Sequence, residues 1–319
     1  IHCSLVGSEM CIRDRNYAEV RALLLQAGEI VTAEEAERRV LILQNPGLRP
    51  KAAAVTNVYA GLQLVLPGEV APVHHHAAAA LRFVVEGSGG YTTVDGARAL
   101  MSPGDLILTP SWTRHEHGNE SDAPMIWLDG LDLPLINDLE ANFLGGPREQ
   151  RPASTAMLDA SGDRYSRGGL KPPGNWDEPY SPMIRYPWEE TETALLRAAR
   201  DDRRTATDGV LLHYSNPVTG GPVMPTLGAA VQLLAPGTAT DAHRHTASAV
   251  YHVVRGSGST VVDGSELHWG ERDTFAVPGW SVHAHRNSAS EDAILFSITD
   301  EPVLRALGYY REAAAGGPN

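Results

Sequence analysis

A duplicated segment constrains this chain more than any other feature of its sequence. The stretch Gln63–Gly68, followed by histidines at 74–76, returns 169 residues later as Gln232–Gly237, followed by His243 and His245. VVEGSGGYTTVDG (84–96) returns as VVRGSGSTVVDG (253–264), and TPSWTRHEHGN (109–119) returns as VPGWSVHAHRN (277–287). Two copies of roughly 100 residues are too few for a solenoid, so each copy must close its own core.

The local pattern inside each copy is typical of β-structure. Short apolar stretches such as LRFVVEG (81–87), LILTP (106–110) and IWLDG (126–130) are separated by glycine, proline and aspartate. Asp95-Gly96 and its repeat Asp263-Gly264 have the composition of hairpin turns. Many short strands joined by such turns predict an all-β dominated chain with two tandem jelly-roll barrels.

The N-terminal part of the chain lies outside the repeat and has a different pattern. One helix is predicted over about residues 17–27, and a second from Thr32, which forms a capping box with Glu35, to near Asn45. Residues 16–50 are therefore predicted to be a short helical segment. Residues 1–15 fit no periodic pattern, and we interpret them as artefactual or disordered.

The remaining residues divide into three parts. Residues 51–144 are predicted to form the first barrel and residues 206–319 the second, with residues 313–319 as a frayed tail. Residues 145–205 are rich in proline, glycine and charge. They are predicted to be a long linker between the barrels that contains one helix, over about Glu189–Arg200.

Composition excludes several classes of protein and partner. The 319 residues carry a formal net charge of -13, so we expect neither nucleic acid nor an anionic membrane as a partner. No apolar run approaches the length of about 18 residues that spans a bilayer, and no secretory signal is recognisable. The only cysteines are Cys3 and Cys11, which excludes a disulfide framework from the folded body. A soluble, cytoplasmic oligomer is therefore expected.

Histidine is the residue type that points to chemistry. Ten of the 13 histidines fall in four short clusters. On a strand, His74 and His76 would face the same side, and a return strand after the turn at Pro110–Trp112 can bring His115 beside them. Three neutral imidazoles with open coordination positions suit a divalent transition metal. An isolated His-x-His pair usually binds no metal, but the recurrence of the whole pattern favours a metal site.

These residues also resemble a known superfamily. Gly68-x5-His74-x-His76, then Gly104-x5-Pro110-x-Trp112-x2-His115-x3-Asn119, is similar to the two sequence motifs of cupins, and the second copy repeats both. The chain therefore resembles a bicupin. Many cupins carry a fourth, glutamate ligand, but the corresponding positions here are Ala80 and Ala249. Arg82, two residues further along the same face, cannot ligate a metal but can bind an anionic substrate.

At finer scale the chain resembles the gentisate 1,2-dioxygenase family, which includes salicylate and 1-hydroxy-2-naphthoate dioxygenases. The similarity is carried by long stretches: YAGLQLVLPGEVAPVHHH (59–76), ALRFVVEG (80–87), MSPGDLILTPSWTRHEHGN (101–119), IWLDGLDLPL (126–135) and NPVTGGPVMPT (216–226). The resemblance implies Fe(II) on His74, His76 and His115, and a homotetramer. It also implies that dioxygen opens gentisate between its carboxyl-bearing and hydroxyl-bearing carbons, giving maleylpyruvate.

The resemblance assigns roles to further residues. Arg82 would pair with the substrate carboxylate, and His117 would act as an acid/base group that hydrogen-bonds substrate or oxygen. Gln63 would line the substrate site, and Arg38 would reach it from the N-terminal segment, although Arg39 next to it is an alternative. Asp129 and Asp132 either cap turns or hold a ligand imidazole, and Tyr59 is the residue expected in a gentisate enzyme.

The second copy keeps the ligand pattern in His243, His245 and His283, with Gln232 retained and Tyr251 at the arginine position. Ligand spacing favours a second metal site, whereas the family's C-terminal barrel is usually metal-free, so its main role is expected to be structural. Three alternatives to a gentisate dioxygenase stay open. They are a salicylate or hydroxynaphthoate dioxygenase, a non-enzymatic bicupin that binds a ligand, and a sugar or keto-acid isomerase.

Overall fold

The computed structural model describes residues 16–32, 39–145, 158–165 and 173–317. Five α-helices lie in these ranges: α1 (Tyr17–Ile30), α2 (Leu133–Asp138), α3 (Ala160–Tyr165), α4 (Trp188–Arg200) and α5 (Glu301–Ala306); Pro46–Leu48 forms a 3-10 helix. The helices predicted at 17–27 and 189–200 are confirmed as α1 and α4, and α1 extends to Ile30. None of the described helices has the length and hydropathy needed to cross a bilayer.

The first barrel is made of two antiparallel sheets. Their strands are β1 (Arg39–Ile42), β2 (Tyr59–Val65), β3 (Val70–His76), β4 (Ala80–Glu86), β5 (Gly90–Val94), β6 (Ala97–Met101), β7 (Leu106–Thr109), β8 (His115–Asn119), β9 (Met125–Leu131), β10 (Leu144–Gly145) and β11 (Arg185–Tyr186). One sheet has the order β1-β2-β9-β4-β7-β11, and the other has the order β10-β3-β8-β5-β6. Strand β11, from the predicted linker, thus joins the first barrel.

The second barrel repeats this plan. Its strands are β12 (Val210–His213), β13 (Gly228–Leu234), β14 (His243–His245), β15 (Ala249–Arg255), β16 (Gly258–Val262), β17 (Ser265–Trp269), β18 (Thr274–Val277), β19 (His283–Arg286), β20 (Ala293–Thr299) and β21 (Glu312–Ala314). The sheet orders are β12-β13-β20-β15-β18 and β17-β16-β19-β14-β21. The predicted architecture of two tandem jelly-roll barrels is confirmed.

Two local predictions were wrong. The second N-terminal helix was expected to run to Asn45, but Arg39–Ile42 is a strand that pairs with β2, Val40 lying opposite Gln63. Pairing to the barrel sheet therefore outweighs the local helix signal, and residues 33–38 lie outside the described residues. The tail predicted to be frayed contributes Ala313 and Ala314 to β21, which pairs with β14.

The β1-β2-β9-β4-β7-β11 sheet of the first barrel and the β12-β13-β20-β15-β18 sheet of the second pack face to face and share one apolar core. Because strand residues alternate between faces, Leu62, Leu81 and Phe83 point out of the first barrel. They join Val231 and Phe296 of the second barrel in a single buried cluster. The intervening residues point into each barrel, where they form separate smaller cores. The inward face of β2, β4 and β9 is therefore the surface on which polar site residues can be placed.

Candidate metal and substrate site

The structure brings His74, His76 and His115 together inside the first barrel. His74 on β3 lies directly opposite His115 on β8, next to a bulge that interrupts the β3–β8 pairing. The ring centroids of His74 and His115 are 4.1 Å apart, those of His76 and His115 4.7 Å, and those of His74 and His76 5.5 Å. One ring nitrogen from each histidine lies within 4.8 Å of the others, which is close enough for one ion to be shared.

The turn before β8 helps to place His115. Trp112 has a left-handed backbone with φ 66°, and its backbone N–H donates to the carbonyl of His76 at 2.9 Å. Trp280 has the same φ at the equivalent turn of the second barrel. This turn therefore ties the start of the return strand to the end of the strand that carries the His-x-His pair.

Each histidine of this triad is held through its Nδ1 atom. Nδ1 lies 2.8 Å from the carbonyl of Pro72 in His74, 2.7 Å from that of Ala78 in His76, and 3.0 Å from that of Thr113 in His115. A carbonyl only accepts, so each Nδ1 carries the proton and each Nε2 presents a lone pair. Within the described part of the chain, the buried Nε2 of His115 makes no hydrogen bond.

Electrostatics keep His115 neutral. Burial lowers the pKa of His115 well below its ordinary value, and electrostatic interactions with Arg82, His74 and His76 lower it further. Unprotonated imidazoles are the form that ligates a metal. The donor set, its tautomers and the buried Nε2 of His115 together fit a divalent transition metal.

Arg82 lies on the opposite sheet with its side chain inside the barrel and only 2% exposed. Its Nε is 3.1 Å from Oδ1 of Asp129, the residue directly opposite on β9, and its Nη1 donates to the hydroxyl of Thr109. Asp129 also accepts from Nε1 of Trp127 at 3.1 Å. These contacts fix the guanidinium in a buried position near His115, where it can receive an anion.

The contacts described for the two aspartates differ from those expected. Asp129 was expected to cap a turn or hold an imidazole, but the contacts described for it are to Arg82 and Trp127. Asp132 precedes α2 without capping it. Instead it accepts from the backbone N–H of Ala79 at 2.8 Å and from the hydroxyl of Thr226, in the second barrel, at 2.5 Å.

His117 faces the same side of β8 as His115, with ring centroids 5.5 Å apart, and is fully buried. Its Nδ1 is 2.8 Å from the hydroxyl of Thr92 on β5, the residue opposite it in the sheet. Sequence reasoning missed Thr92, although the repeat contains the signal. The equivalent Thr260 stands at the same 2.8 Å from Nδ1 of His285.

Gln63 and Tyr59 line the interior face of β2. Gln63 is 2% exposed, and among the described residues its Nε2 has no hydrogen-bond partner, so it can donate to a bound molecule. A Cβ at Gly61, between them, would lie 2.7 Å from the hydroxyl oxygen of Tyr59. The absence of a side chain at Gly61 therefore leaves space for the hydroxyl of Tyr59 on the interior face of β2.

Of the two arginines that the sequence offers from the N-terminal segment, Arg39 lies among the described residues. Arg38 lies outside the described residues. Arg39, the alternative assignment, is 5% exposed and forms an ion pair with Glu69. Its guanidinium is thus engaged outside the histidine cluster.

The second barrel brings His243, His245 and His283 together in the same way, again with one nitrogen from each within 4.8 Å of the others. Tyr251 occupies the position equivalent to Arg82 and is buried against Phe275. Gln232 differs from Gln63 because its Nε2 donates to the backbone carbonyl of Asp208 at 2.7 Å. The interior that could receive an anionic molecule is therefore that of the first barrel.

Two tandem barrels, the first with three convergent imidazoles that could hold a metal ion and with a buried arginine, define a bicupin. A family model described as Cupin domain matches residues 61–131 and 230–299. The 5-aminosalicylate 1,2-dioxygenase of Comamonas sp is 44% identical over 309 residues, covering 94% of this chain and 80% of that protein. Gentisate 1,2 dioxygenase 1 of Aquipseudomonas alcaligenes is 42% identical over 293 residues, covering 92% and 84%.

A solved structure gives the same result. The salicylate 1,2-dioxygenase of Pseudaminobacter salicylatoxidans superposes with a TM-score of 0.89 at 34% identity, covering 97% of this chain and 90% of that one. The chain belongs to the gentisate 1,2-dioxygenase family of bicupins, and it is an oxidoreductase that cleaves aromatic rings with dioxygen.

Proposed function

We propose that the first barrel binds Fe(II) through His74, His76 and His115 and opens gentisate to maleylpyruvate. The carbon–carbon bond between the carboxyl-bearing carbon and the adjacent hydroxyl-bearing carbon is broken. Both atoms of dioxygen enter the product, and the ring supplies the four electrons that reduce them. When bound, Fe(II) would supply an anchoring point for the carboxylate and hydroxyl oxygens of the acid and a route for electrons from the ring to dioxygen.

The observation that carries this proposal is the buried Arg82 on the sheet opposite the histidine cluster. An arginine fork binds a carboxylate through two parallel hydrogen bonds, which orients a ring as well as holding it. Asp129 and Thr109 hold Arg82, so the guanidinium is pre-oriented before an acid binds. Burial of the site strengthens these charge interactions and excludes water from the ring.

His117 and Gln63 supply the polar contacts that remain. With Nδ1 of His117 engaged by Thr92, proton exchange of this imidazole runs through Nε2. The amide of Gln63 can donate to an oxygen of the bound acid or of dioxygen. His117 and Gln63 lie on opposite sheets and both side chains face the interior of the barrel. An aromatic ring bound between them would therefore have a polar group on each side.

A second candidate substrate is 5-aminosalicylate. It keeps the neighbouring carboxylate and hydroxyl and carries an amino group where gentisate has its second hydroxyl. The 5-aminosalicylate dioxygenase relative is as similar to this chain as the gentisate dioxygenase relatives are. Salicylate and 1-hydroxy-2-naphthoate keep the same carboxylate–hydroxyl pair without that substituent, and they complete the set to be compared.

The test is oxygen uptake by the chain after anaerobic loading with Fe(II), with each of the four acids in turn. Gentisate is expected to give the highest kcat/KM, with dioxygen and acid consumed in equimolar amounts. A chain loaded with Zn(II), which has no redox chemistry, is the matched control and should consume none. A higher kcat/KM with another acid would replace gentisate as the substrate, and no uptake with any acid would favour a ligand-binding protein.

A further inference from the structure

The second barrel contains a histidine cluster with nearly the same dimensions as the first. The ring centroids of His243 and His283 are 4.3 Å apart, those of His245 and His283 4.9 Å, and those of His243 and His245 5.7 Å. Each distance is 0.2 Å longer than its equivalent in the first barrel. His243 and His283 are 3% and 1% exposed. Three imidazoles would not be packed together inside a barrel for apolar contact alone, because each buries polar nitrogens.

The same tautomer is selected in this cluster. Nδ1 of His243 lies 3.3 Å from the carbonyl of Asp241, Nδ1 of His245 lies 2.7 Å from that of Ala247, and Nδ1 of His283 lies 3.0 Å from that of Ser281. The carbonyls stand at the same offsets along the chain as in the first barrel. The Nε2 atoms therefore present their lone pairs to a common point, as metal ligands do.

A carboxylate approaches this cluster. Oδ1 of Asp208, just before β12, is 4.0 Å from Nε2 of His243. The other oxygen of Asp208, Oδ2, accepts from the hydroxyls of Thr205 at 3.0 Å and Thr207 at 2.6 Å. The carboxylate is thus oriented with Oδ1 towards the histidines. Three imidazoles and one carboxylate form a complete donor set for a four-coordinate divalent ion.

The groups that receive a substrate in the first barrel are replaced here. Tyr251 stands where the first barrel has Arg82, and its partner across the sheet is Ser297 where the first barrel has Asp129. The ring of Tyr251 stacks on Phe275 at 5.0 Å. An aromatic acid would find no buried cation at this position, and the Asp208 carboxylate would repel it.

The weak pairing between β14 and β19 indicates how a bound ion could stabilise the second barrel. Strand β14 pairs with β19 through a single residue pair, His243 with His283, and with the C-terminal β21 through three. A metal held by ligands from β14 and β19 would join two strands that few backbone hydrogen bonds connect. It would also hold the C-terminal strand, which pairs with the ligand-bearing β14.

We propose that the second barrel binds a resident divalent transition-metal ion through His243, His245, His283 and Asp208, and that this ion stabilises the barrel and binds no substrate. The proposal goes beyond the ring-cleaving function, which uses the first barrel alone. It accounts for the retention of a complete histidine triad in the copy that has lost the carboxylate receptor.

The test counts metal ions per chain. The full chain, produced without a polyhistidine tag, is stripped with a chelator, reloaded anaerobically with Co(II), freed of excess ion and measured by mass spectrometry. Wild type should hold two ions per chain, His115→Ala one, His283→Ala one, and the double variant none. One ion in wild type that His115→Ala removes and His283→Ala leaves in place would overturn the proposal.

A second measurement covers the case in which His283→Ala fails to fold. In the His115→Ala background only the second site remains, so added Zn(II) should raise Tm, because an ion that binds only the folded chain stabilises it. His245→Gln in that background should abolish the rise. Asp208→Asn in the same background should weaken Zn(II) binding by about tenfold or more. A Tm that Zn(II) does not change in the His115→Ala chain would contradict the proposal. These readouts stay informative even if gentisate is not the substrate.

Discussion

Arg82 and Asp129 form a charge pair inside the first barrel, with side chains 2% and 5% exposed. Removing one member of such a pair leaves the other charge buried and costs about 3–5 kcal/mol of folding free energy. A loss of activity in such a variant could then come from unfolding and not from a lost substrate contact. The informative change keeps the charge and alters the shape of the cation.

Arg82→Lys is expected to keep the ion pair with Asp129 and to lose the fork that receives the substrate carboxylate. We expect kcat/KM for gentisate to fall about 100-fold, equivalent to about 2.7 kcal/mol, mainly through a higher KM. Steady-state oxygen uptake measures it, with metal content checked in parallel. Arg98→Lys, at an arginine that pairs with Glu120 near the surface, is the matched control. An unchanged KM in Arg82→Lys would argue against the assigned role.

Tyr59→Phe tests which acid the barrel wall selects. The tyrosine hydroxyl lies along the wall beside Gly61, so it can hydrogen-bond the second hydroxyl of gentisate, which salicylate lacks. We expect the ratio of kcat/KM for gentisate to that for salicylate to fall about tenfold, the value of one hydrogen bond. Salicylate is the internal control, because its own kcat/KM should change little. Equal losses for both acids would mean that the hydroxyl orders the barrel wall instead.

At the residue scale, the sequence predicts the histidine cluster of the first barrel better than it predicts the contacts of Arg82. Residue spacing alone groups His74, His76 and His115. Strand alternation places His74 and His76 on the same face of one strand, and a single turn brings His115 on the return strand beside them. The contact of Asp129 with Arg82 depends on the pairing register of β4 and β9, which is a tertiary property that no short motif encodes.

Strand β4 illustrates how one element serves two environments. Its alternate residues Arg82 and Val84 face the barrel interior, while Leu81 and Phe83 pack in the core shared with the second barrel. Phe83 stacks on Phe296 with ring centroids 4.1 Å apart. Packing between the barrels therefore fixes the backbone that carries Arg82.

Phe83→Ala should destabilise the chain by about 3–5 kcal/mol, because it leaves a cavity between the two sheets. Phe83→Leu, which refills most of that volume, should cost distinctly less and serves as the control. Urea unfolding followed by circular dichroism measures both. A Phe83→Ala midpoint equal to that of wild type would show that the contact between the barrels contributes no stability.

Elements were predictable where the local signal and the tertiary environment agree. Helices α1 and α4 follow from their own sequences, and the strands follow from apolar runs between turns. Residues 39–42 were predicted as helix because a capping box stands upstream, yet they lie along β2 and pair with it. The short helices α2, α3 and α5 went unpredicted because six residues carry too little periodicity, so the predicted linker contains a second helix, α3.

The two barrels are joined by a reciprocal pair of hydrogen bonds. Thr226 of the second barrel donates to Asp132 of the first, and Asn57 of the first donates to Asp300 of the second at 2.7 Å. Burial raises the pKa of both carboxyls, that of Asp132 to about 6 from its ordinary value of 3.8. Burial raises these pKa values by more than the two hydrogen bonds lower them, so burying each carboxyl at the contact between the barrels is coupled to a proton.

This coupling predicts a pH dependence of stability. A raised pKa means that the folded chain binds the Asp132 proton more tightly than the unfolded chain does. The stability from this proton is present below about pH 4 and is lost as pH rises to about 6, a loss of roughly 3 kcal/mol. Asp132→Asn, which cannot titrate, should gain stability relative to wild type by about that amount between pH 4 and pH 7.

The measurement is urea unfolding of wild type and Asp132→Asn across this pH range. Asp138→Asn is the matched control, since Asp138 lies on the surface in an ion pair with Lys51. A difference between wild type and Asp132→Asn that stays constant with pH would contradict the assignment of the raised pKa.

At the scale of the whole molecule, the repeat was enough to predict two barrels, and the division into domains at 51–144 and 206–319 stays a prediction. The face-to-face packing of the two barrels was not predicted. An apolar run shows that both faces of a strand are buried, but it does not identify the element that packs on each face. The homotetramer implied by the resemblance also stays a prediction, which sedimentation equilibrium would check.

The shared core between the barrels has a consequence for how the two copies can diverge after duplication. Outward residues of the second copy, such as Phe296, pack against the first barrel, whereas inward residues one position away, such as Ser297, face the interior of their own barrel. Selection can therefore erase substrate chemistry from the second interior while preserving its exterior shape. A gene shortened to the first copy would expose a wall of Leu62, Leu81 and Phe83 to water, so the second copy persists even where it performs no reaction.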